Sequence, residues 1–152
     1  MLNFLPHWLR GSLTLFLIIC STLTLVPFLL LVAILKLVIP ITAWRRWCTV
    51  ASIEIANLWV GFNNVLLHVI NDIHWDIEGA EDLSLDDWYF VTCNHQSWAD
   101  ILVAQKVLFR KIPMLKFFLK QQLIWVPVIG IAWWALDFPF MKRYSAAEIA
   151  KN

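Results

Sequence analysis

The chain has 152 residues, 61% of them hydrophobic and 15% charged, with a formal net charge of +1. That near-neutral balance removes the electrostatic basis for nucleic-acid binding. An apolar share above the usual half, with ten tryptophans, indicates membrane contact rather than a freely soluble domain. The three cysteines, Cys20, Cys48 and Cys93, are odd in number and lack CxxC spacing, a pattern of reduced thiols and neither a disulfide frame nor a zinc site.

From Gly11 to Leu35 the run GSLTLFLIICSTLTLVPFLLLVAIL carries no charge. At ~1.5 Å per residue it exceeds a hydrocarbon core of ~30 Å, so it is long enough to span with some tilt. Pro27 predicts a kink, which membrane helices accommodate, and Trp8 and Trp44 flank the run as an interfacial aromatic belt does. The apolar stretch is too long for a cleaved signal peptide, and no small-residue cleavage pattern follows it. Lys36, Arg45 and Arg46 follow the run while Arg10 precedes it, so the positive-inside rule places the C-terminal side in the cytoplasm. Residues 48–70 are apolar but interrupted by Glu54, Asn57, Asn63, Asn64 and His68. They predict a helix lying in the headgroup region or packed on the first, rather than a second crossing. Residues 1–70 therefore read as a membrane-anchoring helical segment, with one span or an embedded helix pair.

Polarity rises at NDIHWDIEGAEDLSLDDWYF, which places a boundary near residue 71 and a second region over 71–152. IHWDI (73–77) alternates as a short strand, EGAEDLSLDD is a polar loop, and WYFVTC (88–93) has the composition of a buried central strand. SWADILVAQKVLF predicts a helix with Ser97 as N-cap and Asp100 as capping-box acid. IPMLKFFLK (112–120) reads as a strand, QQLIWVPVIGIAWWAL as a short helix or interfacial loop broken by Pro127 and Gly130, and DFPFMKR as a last strand. Alternating strands and helices predict an α/β layer behind the membrane segment. Leu123 to Leu136 is too short to span; burial in the domain and docking on the membrane surface both fit, with Trp125, Trp133 and Trp134 favouring docking.

The ionisable chemistry concentrates in VTCNHQSWAD (91–100). At a strand-to-helix junction His95 is exposed where α/β sheets place ligands. If Asp100 points back, it accepts one ring N–H and leaves the other nitrogen as a base. The adjoining helix N-terminus favours the neutral ring and can stabilise a developing oxyanion. No neighbouring Ser, Cys or Lys reads as an activated nucleophile, so direct transfer is expected. Cys93 reads as a small buried residue ending a strand. The alternative stands beside this: Asp100 only caps the helix, and His95 is a loop histidine bonded to backbone.

NHQSWAD, with Asn94, His95, Ser97 and Asp100, resembles the NHxxxxD block of the glycerolipid acyltransferases typified by 1-acylglycerol-3-phosphate acyltransferase. KQQLIWVPVIG, with Lys120, Leu123, Pro127 and Gly130, is similar to the segment leading into the family's second motif, and LDFPFMKR to the strand ending it at Arg143. The whole chain is similar to the N-terminal half of a proteobacterial inner-membrane subfamily. The resemblance implies a partial acyltransferase αβ domain on a membrane anchor and acyl transfer from acyl-CoA or acyl carrier protein to a lysophospholipid hydroxyl. It implies that His95 deprotonates the hydroxyl, Asp100 orients His95, Asn94 and Ser97 support the motif, and Arg143 meets the acceptor phosphate, with Lys120 adding positive potential. Neither a metal nor a bound cofactor is implied, and the partners are membrane lipids, the lysolipid acceptor and the acyl donor.

Two departures stand out. The second motif usually has a glycine where this chain has Asp137, an acid that would repel phosphate unless it points away. The third motif, Glu-Gly-x-Arg, has no counterpart: the Glu78-Gly79 pair lies upstream of the first motif. The resemblance thus implies about half of such a protein, with little activity expected of the 152 residues alone, and leaves a non-catalytic membrane-anchored remnant as the alternative. DNA directly downstream separates the two, since an open frame encoding Glu-Gly-x-Arg favours the enzyme.

Overall fold

The computed structural model describes residues 5–71 and 73–142. Two long helices come first, α1 (His7–Val38) and α2 (Thr42–Ile70). Both are long and apolar enough to cross a membrane by length and composition. α1 runs unbroken through Pro27, although proline has no N–H to give the preceding turn. The hydroxyls inside it fold back onto their own helix: Thr14 donates to Arg10 O, Thr22 to Ile18 O and Thr24 to Cys20 O, at 2.7–2.8 Å. Such bonds let a hydroxyl sit in apolar surroundings without an unmet donor.

The chain divides into two compact units, Met1–Leu25 with Ile53–Leu115, and Val26–Ser52 with Lys116–Asn152. In the first unit α1 and α2 are joined by side-chain hydrogen bonds. Trp59 Nε1 donates to Thr22 Oγ1 at 3.0 Å, and Asn71 Nδ2 to Thr14 Oγ1 at 3.0 Å. Ser21 Oγ donates to Asn63 Oδ1 at 3.5 Å. Of the polar residues that interrupt the sequence of α2, Asn63 and Asn64 are buried, with Asn63 meeting Ser21 of α1, while Glu54 and His68 are exposed. A third helix, α3 (Ala99–Leu108), ends against α2. The Phe109 ring lies where a Cβ on Gly61 would be 3.2 Å from it, and Arg110 Nη2 reaches Glu54 Oε2 at 3.2 Å.

The second unit contains the turn between α1 and α2. Pro40 disfavours continued helix, and two side chains of α2 cover carbonyls of the last α1 turns. Trp44 Nε1 donates to Leu35 O at 3.1 Å, and Arg45 Nε to Lys36 O at 3.3 Å. β1 (Leu119–Lys120) pairs in parallel with β2 (Phe140–Met141), Leu119 opposite Phe140 and Lys120 opposite Met141. Between them lie a 3-10 turn (Gln121–Trp125) and α4 (Ile129–Ala135). α4 buries Gly130, Ala132 and Ala135, while Ile131 and Trp134 are exposed and Trp125 is 84% exposed. Of the two readings of this stretch, a short helix or an interfacial loop, the structure has a 3-10 turn followed by the helix α4, which has one face inward and one outward. Phe117 and Phe138 stack with ring centroids 6.3 Å apart.

The structure is mostly helical and has little sheet. Residues 73–77 and 88–93, expected as strands, form no ladder, and the strand expected over 112–120 contracts to Leu119–Lys120. A strand exists only where its backbone groups pair with a neighbour, so β-prone composition alone does not make one. Trp88 and Phe90, expected in a buried strand, are instead strongly exposed.

Gly130 is where the α4 turn is most constrained. A Cβ there would overlap Ile124 O and lie 2.7 Å from Ile124 C and 2.8 Å from Leu123 O, all backbone atoms that cannot swing aside. Gly130→Ala is expected to lower stability by at least the ~1–3 kcal/mol typical of overpacking. Gly11→Ala, with nothing within 4 Å of the added carbon, should leave it nearly unchanged. Thermal unfolding of the two variants in detergent checks this.

Candidate active site

The loop before α3 brings His95 and Asp100 together. His95 Nδ1 lies 3.3 Å from Asp100 Oδ2; the His95 side chain is 59% exposed and that of Asp100 30%. The same carboxylate closes the helix start. Asp100 Oδ2 accepts the backbone N–H groups of Gln96 and Ser97, each at 2.6 Å, and Oδ1 accepts the Ser97 hydroxyl at 3.3 Å. Ser97 Oγ in turn accepts the Ala99 N–H at 3.2 Å. Capping and contact with the histidine are therefore not rival roles for Asp100. One side chain holds the loop shut from inside the first turn, and the shut loop presents the ring to it.

The electrostatics follow from these bonds. The backbone N–H of Ser97, then that of Gln96, hold the Asp100 carboxyl below its ordinary 3.8, with the Ser97 hydroxyl and His95 acting in the same direction against partial desolvation. A carboxylate that accepts two backbone amides stays ionised where a free one would begin to protonate. With Asp100 on Nδ1, the geometry leaves Nε2 as the nitrogen that can face a substrate. The amides at the start of α3 and in the loop before it are less available than expected for an oxyanion. Those of Gln96, Ser97 and Ala99 bond to the Asp100 and Ser97 side chains, and those of Asp100 and Ile101 to Ser97 O and Trp98 O.

The other expected residues fall as follows. Asn94 is exposed in the same loop. Cys93, expected to be buried, is exposed, because the strand that would have enclosed it does not form. Lys120 is exposed in β1, in the second unit, and register sets it beside Met141. Arg143 lies outside the described residues. Among the described residues no group of three or more His, Cys, Asp or Glu side chains converges as a metal site would.

Asp137, the acid at the usual glycine position, has a structural reason for its place. Its φ is +57°, the left-handed region that glycine enters freely and that Asp and Asn tolerate best among other residues. That conformation ends α4. The Asp137 N–H donates to Trp134 O and the Phe138 N–H to Trp133 O, both at 3.0 Å, which is the paired-bond pattern of a helix C-terminus closed by a left-handed residue. The Asp137 carboxylate is held by Lys36 Nζ at 2.8 Å. Sequence reasoning used Lys36 only as a marker of orientation and missed this contact. The signal for it was an acid at a position that wants glycine, which raises the question of what keeps the charge.

The family model described as acyltransferase matches residues 74–152, just over half of the chain. The matched segment contains the His95–Asp100 pair and both strands. No curated protein and no solved structure matches the chain.

The depressed Asp100 titration carries a pH dependence of definite sign. A carboxyl whose pKa is lowered by folding contributes stability that is fully present above its unfolded value and is lost as pH falls through the folded one. Asp100→Asn can keep one acceptor but not the charge. The variant should therefore unfold at a lower temperature than the wild type at pH 6, with the gap narrowing as pH drops below 3.8. Melting curves of the two proteins across that range test it.

Proposed function

The chain belongs to the glycerolipid acyltransferase family, and on that premise we propose that it moves a fatty acyl group from acyl-CoA or acyl carrier protein to the free hydroxyl of a lysophospholipid such as 1-acylglycerol-3-phosphate, in phospholipid synthesis or remodelling. The observation that carries this reading is the 3.3 Å approach of His95 Nδ1 to Asp100 Oδ2 on an exposed loop. With Nδ1–H turned to the carboxylate, Nε2 takes the proton of the acceptor hydroxyl as its oxygen attacks the thioester carbonyl. The C–S bond then breaks, and the imidazolium returns the proton to the departing thiolate. Asp100 stabilises the transient positive ring without itself accepting a proton.

Arg143 and Lys120 are proposed to receive the acceptor's phosphate. Guanidinium suits that task because its planar fork binds phosphate oxygens in pairs. Asn94 and Ser97 support the loop, Ser97 through its bonds to Asp100 and Ala99. Residues 1–70 are proposed as a membrane-embedded helix pair and 71–152 as part of the acyltransferase αβ domain, at the bacterial inner membrane with the catalytic side cytoplasmic. A lysolipid then meets the enzyme without leaving the bilayer. The hydrogen bonds between α1 and α2 support a helix pair over two independent helices.

Membranes containing the whole gene product, given labelled acyl donor and a lysolipid panel, provide the test. His95→Ala is expected to lose about 10²–10⁴-fold in rate, the usual worth of a general base, with membrane insertion unchanged. Asp100→Asn is expected to lose rate while keeping much of the cap, since asparagine caps well. Full activity in His95→Ala would refute the assignment.

A further inference from the structure

Lys36 sits in the last turn of α1, far in sequence from either motif. Yet its ammonium is 2.8 Å from Asp137, with the lysine side chain 22% exposed and the aspartate 56%. We propose that Lys36 is a positioning residue for the acceptor site: it holds the left-handed turn between α4 and β2 and cancels the charge of Asp137, so that the segment entering β2 can receive a phosphate. This rests on the lysophospholipid reading above.

The argument begins with backbone geometry. The residue after α4 must adopt φ near +57° to let Asp137 N–H and Phe138 N–H close on Trp134 O and Trp133 O. Glycine meets that need without a side chain; aspartate meets it at the cost of a carboxylate. The carboxylate stands three residues before Phe140, where β2 begins and pairs with the strand that carries Lys120. Asp137 thus lies in the turn that enters this short parallel ladder, Lys120 in the ladder and Lys142 directly after it. A bare negative charge in that stretch opposes any phosphate drawn to its cations, because like charges at about 10 Å still repel appreciably when the intervening medium is less polar than water.

Lys36 removes the opposition. Its Nζ is directed to Asp137 Oδ2, while its carbonyl accepts the Arg45 Nε–H, which fixes the backbone from which the side chain extends. An ion pair this exposed adds little to stability by itself. Its worth lies in which charge reaches the acceptor site, so its loss should read out in acceptor affinity far more than in folding.

The test is a cycle of Lys36→Met, Asp137→Gly and the double variant, assayed in membranes with the whole gene product. Each is given a phosphate-bearing lysolipid and a neutral monoacylglycerol. Met keeps the apolar stem and removes the charge; Gly keeps the turn and removes the carboxylate. Lys36→Met is expected to raise KM for the phosphate-bearing acceptor about three- to ten-fold, with kcat and the KM for the neutral acceptor little changed. The double variant should return to the wild-type KM, and Lys36→Arg should retain it. A KM that does not move in Lys36→Met, or a rise that is equal for both acceptors and persists in the double variant, would mean that the pair is only structural. If the wild type acylates none of the acceptors, the lysophospholipid reading itself fails and this role falls with it. Transfer by the wild type with no effect of Lys36→Met overturns this inference alone.

Discussion

The Asp100 carboxylate is where the local fold and the proposed chemistry meet. Four partners converge on it: two backbone amides, one hydroxyl and one imidazole. Three of the four come from Gln96 and Ser97, just before α3, and they tie the loop to the helix's first turn. The fourth is the histidine. A carboxylate held by its own backbone cannot rotate away, so it offers the ring a fixed acceptor at no further cost in side-chain freedom. The spacing of motif residues is thus the spacing of a helix start: the acid must lie in the first turn and the histidine just outside it. The same bonds keep the acid charged, and a charged acid is what can orient and stabilise a protonated ring.

A different constraint governs the long helices. A polar group is costly in apolar surroundings unless it is paired, and Thr14, Thr22 and Thr24 of α1 turn their hydroxyls to carbonyls of their own helix. Two of these threonine oxygens also accept from across the first unit, from Trp59 of α2 and from Asn71 just after it. A hydroxyl oxygen can do both, since it donates once and accepts as well. The residues that weaken α2 as a lipid-facing span, such as Asn63, are therefore among those that give it a partner.

The α4–β2 turn shows how one backbone angle admits different side chains with different consequences. The positive φ at Asp137 belongs to the way α4 ends, and the close approach of Gly130 to the Ile124 backbone to the way it begins. Gly130 has no substitute, because a carbon there overlaps main chain. Position 137 has open space for a carboxylate, provided a cation answers it, and Lys36 does. Val128, at φ +67° just before α4, is a β-branched residue in a region that disfavours it. α4 is thus flanked by unusual backbone on both sides.

Much was legible in the order of residues alone. The uncharged run from Gly11 to Leu35, the polar residues interrupting the next helix, the helix after Ser97 and the short helix around Gly130 all follow from local rules of charge, periodicity and capping, which act within a few residues. NHQSWAD, KQQLIWVPVIG and LDFPFMKR in that order also carried the resemblance to the family, which the matching family model bears out. What sequence could not decide was whatever depends on a distant partner. The β-prone segments 73–77 and 88–93 are not strands because pairing, not composition, makes a strand, and Cys93 is exposed for the same reason. The contact of Lys36 with Asp137 joins residues 101 positions apart, and no local rule can foresee a contact between groups that only the folded chain brings within 2.8 Å.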